Sequence, residues 1–126
     1  MGFLKLWGRV LARIVNEPEH LMVYSAINKT DVEKSGANNE DVAAILKEML
    51  LQLSFAKVFV FFRELDENQT EVYCAAPVAL GLPEVFSHFN PDSIQAHALR
   101  FRMSMPLQQA EQIVLESVRK QASSLT

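Results

Sequence analysis

Residues 56–77 read AKVFVFFREL-DENQ-TEVYCAAP, and the pattern of this stretch decides the fold. Val58, Val60 and Phe62 alternate with Phe59, Phe61 and Arg63. Apolar side chains therefore point to both sides of one strand, as in a central strand covered on each face. Asp66-Glu67-Asn68-Gln69 joins it to a second strand-like run, Thr70–Pro77, so a hairpin is expected. Helices must then supply the two covering layers.

Working outward, the chain provides those helices. Phe3, Leu6, Trp7, Val10, Leu11 and Ile14 follow a 3.6-residue period, which predicts a first helix over 3–15, closed off by Pro18. His20–Ile27 is short, apolar and β-branched, and reads as a strand. Thr30 and Glu33 have capping-box spacing for a short helical turn that stops at Gly36. Asn39 is expected to cap the next helix, with Glu40 and Asp41 in its first turn and VAAILKEMLLQL as its body. A short helix is expected at Leu82–Phe89, started by Pro83. ALRFRM (98–103) places Leu99 and Phe101 on one face and Arg100 and Arg102 on the other, a half-buried strand with a basic outer face. Pro106 opens a last helix with Leu107, Ala110, Val114 and Val118 on its buried stripe, and 122–126 is expected to be a flexible tail. The order α-β-α-α-β-β-α-β-α predicts one α/β domain spanning 1–126, with a mixed central sheet of about four to five strands and helices on both faces.

Composition fits that reading. The 126 residues are 49% hydrophobic and 21% charged, with a net charge of −3 and a pI near 5.6. A duplex-binding surface needs a basic excess to neutralise phosphates, and none is present, so any nucleic-acid contact is expected to be local and short. Cys74 is the single cysteine; it allows no intrachain disulfide and no thiolate metal cage. Lys5, Arg9 and Arg13 interrupt the apolar N-terminal stretch, and no run of about 18 apolar residues exists, so neither a leader peptide nor a membrane span is expected. The expected setting is cytoplasmic, with no membrane partner.

Catalytic chemistry finds little to work with. His20, His88 and His97 are scattered, and none forms an H-x-x-x-H or H-x-H pattern that brings two imidazoles to one metal. Ser87, Ser93 and Ser104 lack a nucleophile elbow, and four glycines supply no phosphate-cradling loop. Glu33, Glu40, Asp41 and Glu48 suit helix starts and polar faces, and the acids of 64–67 suit a solvated hairpin tip. No metal, no cofactor and no unaided hydrolytic activity are expected. Two basic groupings remain. Lys5, Arg9 and Arg13 line helix one. Arg100 and Arg102 share one face of a strand, with His97 in the turn before it and Arg119 and Lys120 as prospective neighbours. The strand pair is the better anion site, because a rigid strand holds guanidinium groups more sharply than a helix surface.

LKLWGRVLARI, then a strand, then T-DVEKSGA-NNEDVAAILKEML, AKVFVFFRE and a hairpin resemble, across most of the chain, the C-terminal DHH-associated domain of DHH-family phosphoesterases of the oligoribonuclease and RecJ-like kind. In that family this domain binds the nucleotide substrate through an S-L-R-S-like strand and a G-G-G-H-x-x-A-A-G-F motif. The metal-binding aspartates and the D-H-H motif belong to an N-terminal catalytic domain with no counterpart in these 126 residues. Here Cys74-Ala75-Ala76-Pro77 stands at the S-L-R-S position. Residues 90–101 stand at the glycine-rich motif, with Ala98 and Phe101 matching its end and Gln95 at the histidine. The resemblance implies a degenerate substrate-binding domain whose site rests on the side chains Gln95, His97, Arg100 and Arg102. It also implies that helix one, with Trp7, Lys5, Arg9 and Arg13, adjoins an interdomain connection and docks on another chain or a second copy. Three functions follow as expectations: a non-catalytic module for a short nucleotide or a protein partner, a phosphoesterase fragment active only with its catalytic domain, or a structural dimerisation module.

Overall fold

In the computed structural model, β3 (Val58–Asp66) and β4 (Gln69–Ala75) form the expected hairpin, its turn tightened by the Asp66 carboxylate accepting the Asn68 N–H at 2.8 Å. The structure describes residues 2–20, 22–38, 40–42, 44, 45, 48, 58–75, 93, 94 and 98–125. Around the hairpin lie β1 (Val15–Glu17), β2 (Met22–Ile27), β5 (Ser93–Ile94) and β6 (Ala98–Met103), in one sheet of order β1-β2-β3-β4-β6-β5. Only β2 and β3 are parallel; the other neighbours are antiparallel. A parallel pair needs a crossover. It is provided by α2 (Lys29–Ser35) and by α3, helical at 40–42, 44, 45 and 48. The four main strands are those expected, and the sheet gains two very short edge strands.

Strand alternation sorts the interior into two layers. Met22, Val58, Val60, Phe62, Val72, Cys74, Phe101 and Met103 face the C-terminal helix α4 (Leu107–Leu125), which buries Ala110, Val114, Leu115 and Val118 against them. On the other side, Val23, Ile27, Phe59 and Phe61 meet Leu6 and Val10 of α1 (Gly2–Ala12) together with Val42 and Ile45 of α3. Helices thus cover both faces, as the two-sided strand required.

The local boundaries differ from expectation for physical reasons. α1 ends at Ala12, not at 15, and Val15–Glu17 instead pairs with β2. β-branched Val15 and the extended bias that Pro18 imposes on Glu17 favour a strand there. His20 belongs to a 3-10 turn, so the following strand begins at Met22. α2 is capped by Asn28 and Asp31 rather than Thr30 and Glu33: Asn28 Oδ1 accepts the Asp31 N–H at 2.8 Å, and Asp31 Oδ2 accepts the Asn28 N–H at 2.9 Å. Gly36 ends α2 as expected, at φ 73°, a left-handed conformation that favours glycine. The next cap is carried by Asn38, in reciprocal bonds with Asp41 of 2.9 and 3.0 Å, while Asn39 lies outside the described residues. α4 continues to Leu125, through residues expected to form a loose tail. The helix expected at Leu82–Phe89 lies outside the described residues.

Candidate functional site

The sheet face that carries α1 and α3 continues beyond them onto β4 and β6, where its residues turn polar. Strand register arranges them in two adjacent rows. One runs Phe61–Tyr73–Arg100 and the next Arg63–Glu71–Arg102, each residue directly opposite its neighbour. Directly paired antiparallel residues hold their Cβ atoms about 4.5–5.5 Å apart, so each row is a contact row. Arg100 and Arg102 are therefore brought together as the alternation of ALRFRM predicted, and both are exposed.

Glu71 organises the two rows. It is only 4% exposed although it stands among guanidinium groups. Its Oε1 accepts the Tyr73 hydroxyl, and its Oε2 accepts Arg102 Nε at 3.4 Å. The Arg102 side chain as a whole stays 61% exposed, so the residue is held at Nε and still reachable from solvent. Tyr73 leans on Phe61, ring centroids 6.2 Å apart and tilted by 58°. Burial, reinforced by the hydrogen bond to Glu71 and its charge, pushes the Tyr73 phenol up to about 12, against the pull of Arg63 and Arg100. Tyr73 is thus a protonated donor at neutral pH. It locks the carboxylate. The exposed guanidinium groups of Arg100 and Arg102 on this face are suited to holding an anion by charge-assisted hydrogen bonds.

Sequence reasoning missed Glu71 and Tyr73. The signal was present in TEVYCAAP, where Glu71 and Tyr73 share one parity while Val72 and Cys74 take the apolar one. Only the pairing of β4 between β3 and β6 reveals that this polar parity faces arginines on either side.

Other expected members of the site stand elsewhere. Arg119 and Lys120 do not join Arg100 and Arg102, because α4 packs on the opposite face of the sheet. Arg119 Nε instead donates to Glu17 Oε2 at 3.0 Å, and Lys120 meets Glu116 at 3.6 Å one helical turn away. Gln95 and His97 lie outside the described residues. On α1, Lys5 is exposed and Trp7 packs partly buried against the core layer beneath it. Arg9 and Arg13 both engage the buried Asp31, fastening α1 to α2. Leu4 and Leu11 stay exposed on the outer side of α1, and Val15 is exposed just beyond it.

A concavity of about 760 Å³ lies at the hairpin end of the sheet between Lys29, Thr30, Glu64, Asp66, Gln69 and Ser104. Its own carboxylate already takes the backbone donor at the start of α2, Lys29 N to Glu64 Oε1 at 3.0 Å. The cleft is not arranged for an anion. Among the described residues no three His, Cys, Asp or Glu side chains converge as metal ligands, and no helix is long and apolar enough to cross a membrane.

No protein-family description and no curated protein sequence matches the chain. Solved structures do. An exopolyphosphatase-related protein from Bacteroides fragilis superposes with a TM-score of 0.83 at 15% identity, over 98% of this chain and 36% of that one. A putative family II inorganic pyrophosphatase from Methanococcus jannaschii does so with a TM-score of 0.60 at 12% identity, over 97% of this chain and 38% of that one. The chain thus spans little more than a third of either protein. At these identities the likeness is one of fold alone, and it agrees with the α/β architecture expected from the sequence.

Proposed function

We propose that the chain is a non-catalytic binding module for a short nucleotide, held by its phosphates at Arg100 and Arg102. The observation that carries this reading is the pair of guanidinium groups on one open strand face, one of them anchored from below by a buried carboxylate. Anchoring lowers the entropy lost when a flexible side chain grips a ligand, so a rigid strand with a fixed arginine favours binding. The two similar structures carry names from polyphosphate and pyrophosphate chemistry, which agrees with an ancestral phosphate site in this fold. The test is a calorimetric titration of a 5′-phosphorylated RNA dinucleotide at low salt. Arg100→Ala and Arg102→Ala are each expected to weaken binding by about 1–3 kcal/mol, the value of a charge-assisted contact. Variants that both bind like the parent sink the assignment.

A second reading is favoured by length alone: this chain spans little more than a third of either similar structure. In it, the module presents substrate to a separate catalytic domain of a metal-dependent phosphoesterase. Mixing the chain with such a domain and Mn²⁺ is expected to raise dinucleotide hydrolysis over the domain alone; no gain removes this reading.

A further inference from the structure

We infer that Glu71 is a selectivity residue of the Arg100–Arg102 face, tuning it toward phosphodiester-linked ligands and against dense inorganic polyphosphates; the inference rests on the nucleotide-binding reading above. A carboxylate is an odd component for an anion site. On a purely structural account it would be expected on an exposed rim, yet Glu71 is 4% exposed and sits in the middle strand of the patch. The Tyr73 hydroxyl and Arg102 Nε hold its two oxygens, so it cannot swing away when an anion arrives. Its negative charge is a fixed part of the field that the ligand meets.

Two consequences follow from that placement. First, Glu71 takes the Nε side of Arg102, leaving the outer nitrogens to the ligand, which fixes where a phosphate sits. Second, it sets one negative charge beside the exposed guanidinium groups of Arg100 and Arg102, and so lowers the positive charge that the ligand meets. Coulomb attraction scales with the ligand's charge. The subtraction therefore costs tripolyphosphate, the more highly charged of the two, more than it costs a 5′-phosphorylated dinucleotide. Arg100 and Arg102 are also about 7 Å apart along the strand, given its rise per residue. Phosphates separated by a ribose suit that interval better than phosphates joined through a single oxygen.

The experiment compares the full chain with Glu71→Gln, Arg63→Gln and Tyr73→Phe, titrating each with a 5′-phosphorylated dinucleotide and with inorganic tripolyphosphate. Glutamine keeps the acceptor for Tyr73 and removes the charge. The parent is expected to prefer the dinucleotide. Glu71→Gln is expected to shift the ratio of the two affinities toward tripolyphosphate by about tenfold or more, whatever happens to the absolute values. Arg63→Gln is expected to shift it the opposite way, which keeps the test decisive if Glu71→Gln folds poorly. Tyr73→Phe, which loosens the lock but keeps the charge, is expected to weaken both ligands and leave their ratio in place. A parent that prefers tripolyphosphate, or a ratio unmoved by either charge change, overturns the role of Glu71 while the nucleotide reading stands. A parent that binds neither ligand overturns both.

Discussion

Arg13 reaches across from the end of α1 to close a two-pronged ion pair on Asp31, with its Nη2 3.0 Å from Oδ1, while the same carboxylate caps the start of α2. Arg9 adds a third contact at 3.2 Å. One buried side chain thus couples the orientation of α1 to the first turn of another helix. Burial alone pushes the Asp31 carboxyl up, but the Arg13 hydrogen bonds, the Asn28 N–H and the charges of Arg13 and Arg9 outweigh it and hold the carboxyl below its usual range. A carboxyl depressed in the folded state contributes stability that is present above the unfolded value, about 3.9, and is lost as pH falls through the folded one. Urea denaturation followed from pH 7 downward should show stability falling below about pH 4, and Asp31→Asn should flatten that part of the curve. At pH 7, Asp31→Ala should cost about 3 kcal/mol, from the lost cap and the lost bonds to charged groups.

The edge of the sheet is fastened to α4 by a different pair. Arg119 grips Glu17 with both Nε and Nη2, and the guanidinium also engages Tyr24. A bidentate pair with one half-shielded partner should be coupled more strongly than an exposed pair one turn apart, such as Lys120 and Glu116. Double-mutant cycles should give a coupling of about 1 kcal/mol for Glu17 with Arg119 and about 0.3 kcal/mol for the helix pair. Equal couplings contradict the account.

Cys74 faces α4 among Val60, Val72 and Phe101, and burial pushes its thiol well up from the ordinary range. A thiol without access or a stabilising cation is inert. Ellman's reagent should leave the native protein unlabelled over the time in which a urea-unfolded sample reacts fully. Cys74→Ser should destabilise the fold by about 1–3 kcal/mol, because a hydroxyl there is buried without an assured partner.

What the sequence made legible was what depends on period and parity. AKVFVFFREL announced a strand covered on both faces, and ALRFRM announced two arginines on one side of a strand; both readings hold in the structure. Gly36 was legible because a left-handed helix end selects one residue type. The caps were not, since Asn28, Thr30, Asn38 and Asn39 are all able to cap, and the choice is made by tertiary contacts such as Arg9 and Arg13 on Asp31. The role of Glu71 was hidden for a related reason. Nothing local tells a strand glutamate that it will be opposite Arg63 on one side and Arg102 on the other, because strand order is a long-range property. Arg119 was misplaced for the same cause: proximity along the chain does not say which face of the sheet a helix covers.

Tyr73 gives the most direct check on the polar rows. Its hydroxyl donates to a carboxylate that has lost nearly all contact with water, so Tyr73→Phe leaves Glu71 with one hydrogen-bonding partner fewer in a place where water is a poor substitute. An unsatisfied buried acceptor costs about 1–3 kcal/mol, and thermal or urea denaturation should report a loss in that range. The phenol supplies an independent readout. Its folded value lies near 12, above the ordinary 10 of an unfolded tyrosine. A group raised in this way contributes stability that is complete below the unfolded value and disappears as pH rises through the folded one, so the parent should weaken from about pH 10 upward. Tyr24, the other tyrosine, is also raised, chiefly by burial and by Glu17. Ultraviolet titration of the native parent should therefore find both phenols ionising above pH 10, with the later step missing in Tyr73→Phe. A phenol that ionises in the parent like free tyrosine, together with an unchanged stability in Tyr73→Phe, means that the hydroxyl does not hold Glu71.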